Sequence, residues 1–270
     1  MKKLFLIFSF LALSFTGSFV YHIYTTQDAV IFKSIPLEKG YVYEWDHPFQ
    51  ELYLETLEHT EINALWFQTK NPKGVVLFFH GRGKNLAVYG KRATPFIEKG
   101  YDVFIIDYRG FGKSSNGFKE NWILEDGDTA YHFLLQHYKE NEIIVYGHSL
   151  GTSIATWVAS HHNPRMLILE APFYNMISVA SHTKPLIPEW LIQWVLRYHL
   201  HTDQWINKVQ APIYIFHGIP DTVIPYEHSQ KLFAKIKHHS KNELLILPEA
   251  GHNNIHHDPL YQEKLEELLP

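Results

Sequence analysis

The chain contains no cysteine. That excludes disulfides, thiolate metal sites and a cysteine nucleophile, and it is compatible with export into an oxidising space without assigning a compartment. It has no run of Lys or Arg able to track a phosphate backbone, and its formal net charge is −4. Nucleic acid is therefore not an expected partner. Charge is sparse: charged residues make up 19% against 46% hydrophobic, the balance of a packed globular protein and not of a disordered one. Neither a phosphate loop nor a dinucleotide fingerprint is present, so no cofactor is expected. Internal repeats, low-complexity tracts and flexible linkers are also missing after residue 40.

Histidine, in contrast, is abundant, at 19 residues. The pairs His161-His162, His199-x-His201 and His256-His257 do not combine with carboxylates at a convincing ligand spacing. His252 and His256 are four apart, but Gly251 opposes the helix that a zinc-binding pair needs. No metal site is expected.

Residues 1–24 read as a separate module. Lys2 and Lys3 precede an apolar run from Leu4 to about Tyr24, longer than the apolar core of most signal peptides and near the roughly 20 residues that span a bilayer. The best cleavage candidate, Thr16-Gly17-Ser18, is mediocre. The segment is expected to be an uncleaved signal anchor, the alternatives being a signal peptide cleaved on secretion and, last, a buried soluble helix. The two lysines favour a cytoplasmic N-terminus and a catalytic domain on the non-cytoplasmic face, periplasmic in a bacterium.

From residue 40 to 270 one α/β domain is expected, since roughly 230 residues can bury a substantial core. Leu52–Leu57 and Ile62–Gln68 suit an antiparallel lead-in. Short apolar runs follow at Val75–Phe79, Val103–Ile106, Ile143–Tyr146, Met166–Leu169, Ile213–Phe216 and Leu244–Leu247. Each is bounded by turn residues, as buried strands are. Amphipathic stretches at Trp122–Tyr138 and from Leu150 through Ala159 separate them, which points to a mostly parallel sheet with helices on both faces. About 40 residues rich in aromatics and Pro break this rhythm. They are expected to form a short cap over residues 173–208, with Pro188 as a first helical residue and Trp190, Leu191, Trp194, Val195 and Tyr198 at helical spacing.

Ile143-Ile144-Val145-Tyr146 runs into Gly147-His148-Ser149-Leu150-Gly151 and then a helical stretch. In that strand–turn–helix context, Gly-x-Ser-x-Gly is a nucleophile elbow, with Ser149 raised on a strained turn between glycines that avoid collision. Asp221 lies in a Pro/Gly-rich loop after the strand Ile213–Phe216, and His252 in the loop after the next strand. Ser149 as nucleophile, His252 as base and Asp221 as supporting acid is the chain order Ser, acid, His. Glu170, also just past a strand, is the competing acid; the stronger turn signature favours Asp221. The oxyanion donors are expected to be the backbone N–H groups of Leu150 and of Arg82, within His80-Gly81-Arg82-Gly83. The cap aromatics Phe173, Tyr174, Trp190, Trp194, Tyr198 and Trp205 exceed a connector's needs. Part of them must pack on the sheet, and the rest, Trp190 and Trp194 above all, are expected to line an apolar acyl pocket.

Taken together, His80-Gly81, Asp107-Tyr108-Arg109-Gly110-Phe111-Gly112-Lys113-Ser114, the Gly147–Gly151 elbow, His217-Gly218 through Asp221 and Gly251-His252-Asn253 resemble the α/β-hydrolase superfamily. The likeness runs from about residue 60 to the C-terminus and is greatest to membrane-anchored, single-domain serine hydrolases, a group that includes protein depalmitoylases. The resemblance implies an eight-stranded α/β-hydrolase sheet with a short cap, and metal-free hydrolysis of an acyl ester or thioester through an acyl-enzyme. It carries the catalytic roles to Ser149, Asp221 and His252, and it makes the Asp107–Ser114 loop structural. Depalmitoylase-like members often have a cysteine-rich N-terminus, whereas this chain has the apolar segment instead. A lipid-like or small-molecule acyl substrate is the expected partner. An acyltransferase or serine aminopeptidase using the same residues is the alternative, as is a non-catalytic binding protein of this fold.

Overall fold

The computed structural model describes residues 17, 18, 20–57, 59–236 and 241–270. Eight strands form one sheet in the order β1-β2-β4-β3-β5-β6-β7-β8. β1 (Phe49–Glu55) and β2 (Glu61–Phe67) pair antiparallel, and β2 runs antiparallel to β4 (Asp102–Ile106). The remaining pairs, among β3 (Val75–Phe79), β4, β5 (Ile143–His148), β6 (Met166–Glu170), β7 (Ile213–Gly218) and β8 (Glu243–Leu247), are parallel. The central strands are apolar along their whole length because both faces are covered: every residue of β3, β4, β5, β6 and β7 is buried. One core layer joins Val75, Leu77, Val145 and Leu167 to the helices on one face. The other joins Val76, Phe78, Ile144 and Ile168 to the opposite face.

All eight expected strands are present, although β1 begins three residues earlier than its apolar pattern suggests. Its exposed positions carry Gln50, Tyr53 and Glu55. The labelled helices are α1 (residues 20–31), α2 (Glu120–Leu135), α3 (Leu150–His161), α4 (Met176–Thr183), α5 (Glu189–Val195), α6 (Glu227–Phe233) and α7 (Pro259–Leu268).

Three features depart from the sequence reading. Pro188, at ψ 137°, is the cap before α5 and not its first helical residue. The cap also contains α4, whose start is held by Asn175 accepting from the Ser178 amide at 2.9 Å. The packed unit begins well before residue 40: Phe32 is fully buried, stacked on Phe118 at 4.5 Å and edge-on to Tyr198 at 4.8 Å. The expected anchor segment lies mostly outside the described residues; residues 20–24 of it open α1. Among the described residues, no helix is long and apolar enough to cross a membrane.

Candidate active site

Because strands β3, β5, β6, β7 and β8 all point the same way, their C-terminal loops meet along one sheet edge. The turn after β5 is the tightest. Ser149 has φ 51° and ψ −116°, a left-handed conformation that an L residue adopts only under strain of about 1–3 kcal/mol. Glycines make this turn possible. A Cβ on Gly147 would come within 2.6 Å of the Gly151 carbonyl, and one on Gly151 would run into the Phe79 and His80 carbonyls at the end of β3. The Ser149 amide donates to the Glu170 carbonyl at 2.9 Å, which ties the turn to β6.

Three loops then converge. His252 Nε2 lies 2.9 Å from Ser149 Oγ, and His252 Nδ1 lies 2.6 Å from Asp221 Oδ2. The Asp221 side chain is fully buried and heavily hydrogen-bonded. Its Oδ1 accepts the amides of Val223 and Ile224 at 2.8 and 2.9 Å, and His217 Nε2 stands 3.2 Å from Oδ2. Burial pushes this carboxyl upward, but the hydrogen bonds from His217 and His252 outweigh it and hold Asp221 well below the ordinary carboxylate range. A carboxylate fixed in that state holds the His252 ring with Nδ1–H toward itself and leaves Nε2 free to accept the serine proton.

The competing acid has a different environment. Glu170 lies beneath the elbow, where its carboxylate meets Arg92 Nη2 at 2.5 Å and the Tyr146 hydroxyl. Burial opposes its charge, yet Arg92 keeps its carboxyl below the usual range. The neighbouring His148 is held down at about 3 by burial, against the pull of Glu170, so it is neutral at ordinary pH. Glu170 therefore belongs to an internal ion cluster with Arg92, Tyr146 and Tyr261. No sequence pattern connects those residues, and the cluster went unread at that level.

The loop after β3 carries Arg82, and α3 opens with Leu150. Neither amide donates to a protein acceptor among the described residues. Both Arg82 and Leu150 border the hollow around Ser149. Gly81 keeps this loop bare, since a Cβ there would meet His148 Nδ1 at 2.8 Å. The His80 and Asp107 side chains brace it from below: His80 Nε2 is 3.2 Å from Asp107 Oδ1, both fully buried. In the Asp107–Ser114 loop, Arg109 binds Asp126 through Nε at 2.7 Å and Ser114 Oγ donates to the Asp107 carbonyl at 2.6 Å. Those contacts are structural.

Two hollows meet at Ser149. A small polar one of about 180 Å³ is lined by Arg82, Tyr89, His148, His252 and Asn253. A large apolar one of about 1080 Å³ lies between α1 and the cap, at the upper end of the size range of small-molecule sites. The aromatic residues expected to line it divide. Phe173 and Tyr198 are buried, while Trp190 and Trp194 are 70% and 72% exposed. Trp190 and Trp194 nonetheless line the cavity together with Phe173, and so do Ile192 and Val195, which α5 turns inward.

The histidines that formed no ligand spacing in the sequence are partly gathered by the fold. Among the described residues, Asp128, His132 and His162 could present three ligand atoms within 4.8 Å of one another. His162 Nε2 is already 2.7 Å from Asp128 Oδ1, and His132 Nδ1 lies 3.0 Å from the Asp128 carbonyl of its own helix. The trio sits at the far end of α3 from Ser149, about 18 Å away along a 12-residue helix. It has no part in the chemistry at the elbow.

Comparison with known proteins agrees with the fold. The family described as serine aminopeptidase, S33, matches residues 70–204, half of the chain. The lysophosphatidylserine lipase ABHD12 of Danio rerio is 28% identical over 218 residues, covering 73% of this chain and 56% of that protein. The alpha/beta hydrolase domain-containing protein 17B of Xenopus tropicalis is 28% identical over 205 residues, covering 74% of this chain and 67% of its own. Among solved structures, a Pyrococcus furiosus esterase superposes with a TM-score of 0.68 at 18% identity, covering 88% of this chain and 97% of that one. At that identity the structural likeness speaks for the fold alone. The matched family, the eight-stranded sheet and the serine elbow lead to one conclusion: the chain belongs to the α/β-hydrolase superfamily and is a serine hydrolase.

Proposed function

We propose that the protein hydrolyses esters or thioesters of apolar acyl groups through a covalent Ser149 intermediate. The observation that carries this reading is the hydrogen-bonded line Ser149–His252–Asp221 where the apolar cavity meets the polar hollow. Ser149 Oγ attacks the acyl carbonyl carbon while His252 Nε2 takes its proton. The Arg82 and Leu150 amides and the N-terminus of α3 receive the negative charge that develops on the carbonyl oxygen. Collapse of the tetrahedral adduct breaks the bond to the leaving oxygen or sulfur, which takes the proton from His252. Water then attacks the acyl-enzyme with His252 again as base, releasing the acid and restoring Ser149.

The aminopeptidase alternative needs a carboxylate near the serine to hold an α-ammonium group. Glu189 and Asp203, the two acids of the cap considered for that task, line neither hollow. The apolar cavity favours an acyl chain, and the name of the lipase relative is in keeping with a lipid-like ester. Such a substrate suits the further proposal that the apolar N-terminal segment anchors the protein to a membrane with the hydrolase domain on its non-cytoplasmic face.

A fluorophosphonate probe is expected to label the wild type and leave Ser149→Ala unlabelled. Purified enzyme is expected to turn over p-nitrophenyl acyl esters faster than aminoacyl amides. Equal labelling of both proteins would remove Ser149 from the mechanism. Turnover of amides alone would replace the ester reading with the peptidase one.

A further inference from the structure

Part of the apolar cavity is built by a helix outside the expected hydrolase domain. Val20, Ile23, Val30 and Ile31 of α1 face it from one side; Met176 and Val179 of α4 are among the residues opposite. α1 is fastened to the cap by buried polar contacts. Gln27 is 6% exposed, and its side chain saturates two backbone groups at the C-terminal end of α5. Its Nε2 donates to the Val195 carbonyl at 2.9 Å, and its Oε1 accepts the Arg197 amide at 2.8 Å. Asp28 Oδ1 pairs with Arg197 Nη1 at 2.9 Å and accepts the Tyr198 hydroxyl at 2.5 Å.

The chain beyond α1 is tied to the oxyanion loop as well. The Gly83 amide donates to the Phe32 carbonyl at 2.6 Å, and Ser34 bridges to Lys84. The position of α1 is therefore coupled both to the cap and to the loop that carries the Arg82 amide. A helix serving only to lead the chain into the domain would not need a buried carboxamide matched to two backbone partners.

We propose that α1 is a wall of the acyl-binding site and sets the acyl-chain length that the enzyme accepts, with Ile23 and Val20 as specificity-determining residues. The ligand is a single long, unbranched apolar acyl chain, with its carbonyl at Ser149 and its methyl end running between α1 and α4. This inference rests on the ester-hydrolase reading. It goes beyond that reading by assigning the chain's binding surface to a segment ahead of the hydrolase domain.

The test compares Ile23→Trp and Val20→Trp with wild type, using p-nitrophenyl esters of two to sixteen carbons and, in parallel, the rate of Ser149 labelling by alkyl fluorophosphonates of graded length. Wild type is expected to prefer long chains. Either tryptophan is expected to lower the long-to-short ratio of kcat/KM by about tenfold, as denying burial to two methylenes would, and to lower the labelling ratio in parallel. Gln27→Ala, which unfastens the helix, is expected to flatten the chain-length profile. Circular dichroism identifies any variant that fails to fold, and the other tryptophan variant then decides. If the ratios in a folded tryptophan variant stay within twofold of wild type, α1 is not a wall of the site and the proposal is overturned. If no ester is turned over but labelling still depends on chain length and on Ile23, the ester reading fails while the acyl wall stands.

Discussion

Asp221 and Glu170 show how environment assigns roles to two carboxylates that follow adjacent strands. Asp221 faces His252, whereas Glu170 is committed to Arg92 and Tyr146. Asp221→Asn is expected to lower kcat by up to about 10⁴, through loss of the correct imidazole tautomer. Glu170→Gln is expected to act on stability instead: it leaves the Arg92 guanidinium buried without its counter-ion, a loss of about 3–5 kcal/mol in comparable pairs. Denaturant unfolding beside steady-state kinetics separates the two, and the reverse ranking would make Glu170 the acid. The pH behaviour follows from the direction of the Asp221 shift. Its folded-state carboxyl is depressed, so the stabilisation it contributes is present above the ordinary carboxylate range and is lost as pH falls through the depressed value. Asp221 thus remains ionised across the working range. The pH profile of kcat/KM is therefore expected to show no loss from protonation of Asp221 within the ordinary carboxylate range.

At the scale of elements, the site is a contact between the start of α3 and the end of β3. Gly151 is the closest point, where only a hydrogen fits beside the Phe79 carbonyl. Gly151→Ala must push α3 away from β3, which moves the Leu150 amide relative to the Arg82 amide. A shift of about 1 Å in a positioned donor can cost on the order of 100-fold in rate. The expected outcome is a kcat at least tenfold lower, with lower thermal stability, while Gly251→Ala is expected to be mild because a Cβ there meets only Asn254 Oδ1 at 3.3 Å. Equal effects of the two substitutions on kcat would mean that the packing of the elbow does not govern the chemistry.

At the scale of the whole molecule, the proposed membrane anchor makes its own predictions. Leu186, Trp190 and Trp194 are 97%, 70% and 72% exposed at the cap, and tryptophan is enriched at membrane interfaces. α1, which follows the apolar N-terminal segment in sequence, lines the same cavity as the two tryptophans. On the anchored reading, alkaline carbonate extraction is expected to leave the full-length protein in the membrane fraction, and protease added from the non-cytoplasmic side is expected to digest the hydrolase domain. Release by carbonate would argue for a cleaved segment, and protection from that protease would reverse the orientation.

The strands and the three side chains brought together at the elbow were legible in the sequence because each is encoded locally. A buried parallel strand must be an unbroken apolar run, as Val75–Phe79 is. A raised serine must stand between glycines, and the acid and histidine must follow strands in a set order. What only the tertiary structure decided are the matters of which residues, distant in sequence, come into contact. Glu170 is 78 residues from Arg92, and Gln27 is 168 from Val195; no periodicity records such pairings. The same holds for the two exposed tryptophans. Helical spacing put Trp190, Leu191, Trp194 and Val195 on a single amphipathic stretch, but which side turned inward depended on the neighbours that α5 met. α4 and α1 supplied those neighbours, so Ile192 and Val195 were buried while Trp190 and Trp194 line the cavity and stay largely exposed.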